Sequence, residues 1–240
     1  MTHQHIFIIG GMHGNEPTGI SVARYFSARK IPGITGILAH PQAITNKTRY
    51  IETDLNRSFS ASLPTSLEEH LADSLKPRLK LYDAIIDIHN TRAAHTTCAI
   101  VTTEPTNLQL ALAAHFGFSR MVIMPPMGSL ISQHPRISIS FEIAHNDMKR
   151  FRPDTLIDTI TCLDLESLSQ KKKVTLFRRV GSLQKKTMER TGIRLKELQN
   201  FKALTAHQKR LLSLDQNICY CPIFKKDIGE KTVCSIVERM

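Results

Sequence analysis

Short apolar runs alternate with longer amphipathic stretches along the first 170 residues. The short runs are rich in isoleucine and valine, which indicates buried strands, and the longer stretches repeat their apolar residues at helical spacing. Strands are predicted at 5–10, 35–40, 84–89, 98–102, 121–124 and 137–143, and helices at 16–28, 66–81, 106–115 and 153–168. This alternation predicts an α/β fold with a mixed, mostly parallel sheet flanked by helices.

The pattern changes after residue 170. Apolar stretches at 174–177, 211–214, 218–224 and 233–237 are separated by polar, lysine-rich turns, which predicts a small β-rich unit, although 195–204 is also compatible with a helix. Residues 1–170 carry 15 basic and 15 acidic side chains, whereas residues 171–240 carry 17 and 6 and so account for the whole net charge of +11. We therefore expect one domain over 1–170 and a small basic domain over 171–240.

Composition limits the class of protein and its partners. Hydrophobic residues make up 41% of the 240 positions, which is typical of globular proteins, and no apolar stretch is long enough to span a membrane. The first residues lack the features of a signal peptide, and the five cysteines lack the spacing of a disulfide framework, so a cytoplasmic protein is expected.

The basic region could contact nucleic acid or acidic substrates, or be a solvated surface. It has few aromatic residues and no nucleic-acid-binding motif, so nucleic acid is not the expected partner.

Chemically versatile side chains follow two of the predicted strands. His13 and Glu16 lie in the glycine-rich turn GGMHGNE after the first strand, and His89 ends the strand at 84–89. Ligands bind beyond the carboxyl ends of strands in open α/β sheets. Two imidazoles and one carboxylate with an open fourth position are typical of a hydrolytic zinc site, in which Asp87 or a backbone carbonyl could orient an imidazole. The alternative for His13 is a loop histidine hydrogen-bonded near a helix start.

Further polar residues lie in positions that suit substrate chemistry. Glu142 ends the buried-looking run SISF, where a carboxylate is costly unless it has a partner or a catalytic task; a salt bridge is the alternative. Arg49, Asn56 and Arg57 lie in the segment TRYIETDLNRSF, and their planar groups suit carboxylates. An exposed loop with two ordinary arginines is the alternative there.

Three ordered motifs carry a resemblance to a known family. GGMHGNEPTG, TRYIETDLNRSF and DIHNT resemble the aspartoacylase/succinylglutamate desuccinylase family, and DLNRSF followed by HNT is more similar to the aspartoacylase branch. The resemblance covers most of residues 5–145. It implies a zinc-carboxypeptidase-like α/β fold, followed here by the small C-terminal β-rich domain, and an enzyme that hydrolyses linear amide bonds.

The resemblance also implies a role for each motif residue at the metal. One Zn²⁺ per chain would be held by His13, Glu16 and His89. Glu142 would be the general base, and Arg49 would polarise the scissile carbonyl. The implied reaction is deacylation of a small anionic N-acyl amino acid, with N-acyl-aspartate as the expected substrate.

Substrate recognition is where the chain departs from the family pattern. The resemblance implies that Asn56 and Arg57 hold a substrate carboxylate and that Asn90 lies beside the metal. A further carboxylate-binding arginine is expected about ten residues before the catalytic glutamate, but that position is Ser132 here, and Arg136 is the nearest candidate.

A second departure lies in the basic region, where the resemblance implies a substrate-contacting tyrosine but this chain has Glu230. An acidic group there would repel an aspartyl side chain. Two alternatives of the same fold therefore stay open, a succinylglutamate desuccinylase and a small zinc carboxypeptidase. The alternatives of another class are a nucleic-acid-binding protein and a binding module without turnover. A homo-oligomer is also possible from the sequence.

Overall fold

The protein is described by a computed structural model that covers residues 4–133, 137–169, 173–224 and 232–240. Within these residues the strands are β1 (Ile6–Gly10), β2 (Ile34–Leu38), β3 (Ala84–Thr91), β4 (Cys98–Val101), β5 (Arg120–Ile123), β6 (Ile137–Ala144), β7 (Thr175–Gln184), β8 (Tyr220–Ile223) and β9 (Thr232–Arg239). The helices are α1 (Pro17–Ala28), α2 (Pro41–Asn46), α3 (Leu67–Leu79), α4 (Asn107–His115), α5 (Pro153–Thr161), α6 (Lys185–Thr191) and α7 (Ala206–Leu211). A 3₁₀ helix at Leu55–Ser60 precedes α3.

All of these strands form one mixed sheet in the order β2-β1-β3-β6-β4-β5-β7-β9-β8. Strands β2, β1, β3 and β6 run parallel to one another, and β4 opposes β6. Strands β4, β5 and β7 are again mutually parallel, and β9 and β8 follow as antiparallel neighbours. The predicted mixed, mostly parallel sheet is confirmed.

Helices cover both faces of the parallel part of the sheet. On one face, Phe26 of α1, Leu112 of α4 and Ile160 of α5 belong to a core cluster of buried residues formed with the sheet. On the other face, Leu75 and Leu79 of α3 lie in a second cluster that includes Phe7, Ile9 and Ile85 of the strands. Strand β1 is buried along its whole length, which explains its continuous apolar run.

The C-terminal residues extend this sheet. Strand β7 pairs with β5 on one side and β9 on the other, so the basic region shares backbone hydrogen bonds with the first 170 residues. A separate apolar cluster, which includes Leu183, Ile193, Leu198 and Ile236, lies beyond that junction. The division near residue 170 stays a prediction.

Three element predictions need correction. The helix expected over 153–168 ends at Thr161. The apolar stretch 211–214 is not a strand, because Leu211 ends α7 and a turn follows it. The helical alternative over 195–204 is reduced to a 3₁₀ turn at Leu195–Glu197. Among the described residues, no helix combines the length and apolar character needed to cross a bilayer.

Candidate metal and active site

The turn after β1 presents two of the three candidate ligands. Gly11 adopts a left-handed φ of +68°, and a Cβ on Gly14 would lie 2.0 Å from the backbone carbonyl of Ala43, so both positions require glycine. The chain can therefore fold tightly against α2 before it enters α1. As a result, His13 and Glu16 are buried beside each other at the carboxyl end of β1.

His13, Glu16 and His89 converge on one point. Nδ1 of His13 lies 2.6 Å from one oxygen of the Glu16 carboxylate, and Nδ1 of His89 lies 2.8 Å from the other. The three potential ligand atoms lie within 4.8 Å of one another. His89 reaches this point because β3 runs parallel to β1 and pairs with it, so both strands end at the same edge of the sheet.

The second nitrogen of each imidazole is held by a carboxylate. Nε2 of His89 lies 2.6 Å from Asp87, and Nε2 of His13 lies 3.1 Å from Asp54. These contacts fix both rings with Nδ1 facing the shared Glu16 carboxylate. Two imidazoles oriented by carboxylates, together with one further carboxylate, form a donor set that suits Zn²⁺.

Electrostatic coupling among these groups is strong. Burial favours a higher pKa for Glu16, but the charge of His89 and hydrogen bonds with both histidines lower that pKa to about 2. Burial opposes protonation of His89, yet the Asp87 and Glu16 carboxylates raise its pKa well above the usual value. The pKa of His13 is also raised, because hydrogen bonds with Asp54 and Glu16 outweigh its burial. Charge attraction and hydrogen bonds with the Glu16, Asp54 and Asp87 carboxylates therefore hold both imidazoles in place.

Glu142 lies directly opposite His89 on the neighbouring strand β6. Because paired residues of adjacent strands project from the same face, the carboxylate belongs to the same side of the sheet as the imidazole. Burial raises the pKa of Glu142 to about 7, with the positive charge on His89 opposing this rise and the Glu16 carboxylate adding to it. Cys98 of β4 pairs with Glu142 on its other side.

Arg49 reaches the same cluster from the loop between α2 and the 3₁₀ helix. Its guanidinium donates to Asp54 at 2.9 Å and lies 3.6 Å from the Glu16 carboxylate. About half of the Arg49 side chain is exposed, so the group borders both the cluster and solvent. Asp54 thus bridges Arg49 and His13.

Asn56 and Arg57 begin the 3₁₀ helix that follows this loop. The side-chain oxygen of Asn56 accepts a hydrogen bond from the backbone N–H of Leu130 at 3.1 Å. Arg57 is exposed, and its guanidinium donates to the carbonyl of Asn56 at 2.8 Å. Both lie close in sequence to Asp54, but their substrate-binding role stays a prediction.

The remaining predicted substrate residues have different outcomes. Asn90 is buried, and its amide bonds to Thr18 of α1 and to the carbonyl of Ile143, so it ties α1 to the strand ends. Its predicted substrate contact stays untested. Arg136 and Glu230 lie outside the described residues.

Two carboxylates were not given a role from sequence. Asp54 lies within the DLNRSF motif, but nothing in the motif indicates a contact with His13. Glu68 is fully buried, in the first turn of α3. A signal for Glu68 was present, because it shares the apolar stripe of α3 with the buried residues Ala72, Leu75 and Leu79.

Comparison with known proteins assigns the family. The family model of the succinylglutamate desuccinylase/aspartoacylase catalytic domain matches residues 2–135 of this chain. The chain belongs to this family. The match contains His13, Glu16 and His89, together with the loop that carries Arg49, so the desuccinylase/aspartoacylase catalytic domain includes the three-residue cluster.

Two curated relatives illustrate the similarity within the desuccinylase/aspartoacylase family. A probable aspartoacylase of Acaryochloris marina is 32% identical over 127 residues, covering 45% of this chain and 42% of that protein. The human N-acyl-aromatic-L-amino acid amidohydrolase (carboxylate-forming) is 29% identical over 131 residues, covering 47% of this chain and 41% of that protein. The matched region therefore spans less than half of either curated relative.

Solved structures of family members share the fold. Murine aminoacylase 3 superposes with a TM-score of 0.71 at 19% identity, covering 100% of this chain and 96% of that chain. The succinylglutamate desuccinylase from Chromobacterium violaceum gives a TM-score of 0.75 at 17% identity, covering 100% and 85%. These similarities establish the zinc-carboxypeptidase-like architecture predicted from the sequence motifs.

Proposed function

We propose that the protein is a zinc-dependent amidohydrolase that cleaves the amide bond of an N-acyl amino acid. The observation that carries this proposal is the convergence of His13, Glu16 and His89 beside Glu142 at the strand ends. The names of the two curated relatives, a probable aspartoacylase and an N-acyl-aromatic-L-amino acid amidohydrolase, support the same class of reaction.

His13, Glu16 and His89 would hold one Zn²⁺ per chain. When bound, zinc would supply Lewis acidity for the amide carbonyl and would lower the pKa of water in the site. The contacts of Asp54 and Asp87 with the two imidazoles would keep both Nδ1 atoms directed at the ion.

Glu142 would act as the general base. It would take a proton from the attacking water as the water oxygen bonds to the amide carbon, and it would then deliver that proton to the leaving nitrogen as the C–N bond breaks. The products are a carboxylate and a free amine. Arg49 would donate hydrogen bonds to the negative charge that develops on the carbonyl oxygen, a contribution worth roughly 3–4 kcal/mol for one donor in other enzymes.

The substrate would be small and anionic. Asn56 and Arg57 would bind a substrate carboxylate, and Arg136 is a further candidate for that task. Asn90 would contribute to the substrate site beside the metal. N-acyl-aspartate is the first expected substrate, because a curated relative is named as a probable aspartoacylase. N-acyl aromatic amino acids and succinylglutamate are the alternatives within the family. Cytoplasmic location stays a prediction, and whether several copies assemble stays open.

A substrate panel with the zinc-loaded protein tests this proposal. N-acetyl-aspartate, N-acetyl-phenylalanine, succinylglutamate and short peptides would be compared by release of free amine. We expect the highest kcat/KM for N-acetyl-aspartate and loss of turnover in Glu142→Gln, with normal zinc content. Glu104→Gln, at an exposed position, is the matched control and should retain turnover. If a protein with one zinc per chain released no amine from any of these substrates, the proposal would be contradicted. A higher kcat/KM for another substrate would show that N-acyl-aspartate is not the preferred substrate.

A further inference from the structure

The buried carboxylate of Glu68 is contacted by four hydrogen-bond donors. It accepts hydrogen bonds from the backbone N–H groups of Ile51 at 2.7 Å, Glu52 at 3.1 Å and Thr53 at 3.1 Å. It also lies 2.9 Å from Nε2 of His40, which is itself fully buried. Three consecutive backbone amides of one loop therefore converge on a single side chain from α3.

The loop at residues 47–53 buries little side-chain surface, because its side chains are exposed except for Ile51, which is half-buried. Its backbone is therefore fixed chiefly by hydrogen bonds. The Arg49 carbonyl accepts one from Gly14 at 3.4 Å, and the Glu52 side chain accepts one from the first backbone N–H of α3 at 2.8 Å. For the three amides of residues 51–53, Glu68 supplies both acceptor oxygens, which a neutral amide in the same position could not do because its NH₂ group is a donor.

The same loop delivers two groups to the metal cluster. Arg49 lies two residues before Ile51, and Asp54 follows Thr53 directly. Asp54 contacts Nε2 of His13 at 3.1 Å, and Arg49 is paired with Asp54 at 2.9 Å. The backbone fixed by Glu68 is thus the segment between these two side chains.

We propose that Glu68 is a positioning residue for the reaction, which holds the loop so that the Arg49 guanidinium faces the metal cluster. This inference rests on the proposed function for its catalytic consequence. Glu68 does not touch substrate; it acts through the loop backbone and Arg49. The pKa of Glu68 is lowered to about 2, because hydrogen bonds from His40 and the three backbone amides outweigh the burial that would raise it. The group is therefore a full acceptor at neutral pH.

Hydrogen exchange tests the loop directly. In the wild-type zinc protein, the amides of Ile51, Glu52 and Thr53 should be protected although their segment is exposed. Glu68→Gln should lose that protection. Glu69→Gln is the matched control, because Glu69 is the next residue of α3 and caps its start through Thr65 and Ser66 instead.

A double-mutant cycle tests the link to Arg49. Glu68→Gln should lower kcat/KM about 10- to 100-fold in the wild-type background, but less than about 3-fold in an Arg49→Ala background, since its effect passes through Arg49. All variants keep His13, Glu16 and His89, so the rates are compared at saturating zinc, where one equivalent per chain should be bound in each. An equal loss in both backgrounds would indicate a structural role only and would overturn the inference.

The two proposals can fail separately. If the wild type releases no amine from any substrate, the proposed function fails, while the exchange measurement still decides whether Glu68 orders the loop. If the amides of residues 51–53 exchange in the wild type as fast as an unstructured loop, the positioning role is wrong whatever the activity. That measurement needs no variant, so the proposal stays falsifiable even if Glu68→Gln does not fold.

Discussion

Asp87 and His89 lie two positions apart on β3, and the carboxylate of Asp87 is 2.6 Å from Nε2 of His89. Because side chains alternate along a strand, this spacing puts both groups on one face of the sheet. Ser140 of β6 donates a longer hydrogen bond to the same Asp87 oxygen, at 3.4 Å. The other oxygen of Asp87 is buried and makes no hydrogen bond within the described residues. The Asp87 carboxylate is therefore dedicated chiefly to orienting His89.

Replacing Asp87 should weaken metal binding. Asp87→Asn keeps the size of the side chain but removes the charge that holds the His89 ring and raises its basicity, so the zinc Kd should rise about 10- to 100-fold. Competition with a chromophoric chelator measures this change. Asp73→Asn, at an exposed position of α3, should leave the Kd unaltered. An unchanged Kd in Asp87→Asn would show that His89 needs no such partner.

The sequence predicted the parallel strands and the residues that converge near their ends because both depend on local signals. Continuous isoleucine-rich runs mark the buried strands, and His13, Glu16 and His89 follow β1 or lie near the end of β3. The capping box of α3, formed by Ser66 and Glu69, also depends only on residues three positions apart. These features need only neighbouring residues to be recognised.

Contacts between distant segments could not be predicted in the same way. Glu68 and the loop at 51–53 are 15 to 17 residues apart, and their pairing depends on how α3 packs against the sheet. The contact of Asp54 with His13 spans 41 residues and has the same dependence. The C-terminal strands were predicted as a separate unit, whereas the pairing of β7 with β5 depends on tertiary packing.

Acid should destabilise the protein partly through Glu68. Its pKa is about 2 in the folded state against an ordinary value of 4.5, so its stabilising contribution is complete above pH 4.5 and is lost as the pH falls towards 2. A shift of this size corresponds to at most about 3 kcal/mol. The difference in unfolding free energy between wild type and Glu68→Gln should therefore shrink over this range.

Denaturant unfolding of both metal-free proteins from pH 7 to pH 3 measures that difference without a contribution from zinc release. Protonation of His13, Glu16 and His89 occurs in both proteins and cancels in the difference. A difference independent of pH would mean that the Glu68 carboxylate is not selectively stabilised in the folded state.

Arg57 should determine affinity for a substrate carboxylate. A hydrogen bond to a charged group contributes roughly 1.5–3 kcal/mol, so Arg57→Ala should lower kcat/KM for N-acetyl-aspartate about 10- to 100-fold, chiefly through KM. Steady-state kinetics with N-acetyl-aspartate and with an analogue that lacks one carboxylate would identify the carboxylate that Arg57 binds. If Arg57 binds the carboxylate that the analogue lacks, the substitution should not change kcat/KM for the analogue. Arg152→Ala, at an exposed site, is the control.

The excess charge of residues 171–240 should steer anionic substrates. Replacing the exposed Lys185, Lys186 and Lys202 with glutamine should lower kcat/KM at low ionic strength and have less effect at high salt. A control triple replacement of exposed lysines in the balanced part of the chain uses Lys30, Lys80 and Lys149. If the two triple replacements changed kcat/KM equally, the basic region would be an ordinary solvated surface with no role in steering.

The proposed function requires that one zinc ion at His13, Glu16 and His89 supports hydrolysis of an N-acyl amino acid. The decisive measurement is a titration of the metal-free protein with zinc, in which amine release from N-acetyl-aspartate is followed. The rate should rise in proportion to added zinc and stop at one equivalent per chain, and a His13→Ala/His89→Ala variant should show neither binding nor turnover. Turnover that is independent of zinc, or stoichiometric zinc retained by that variant, would contradict the proposed function.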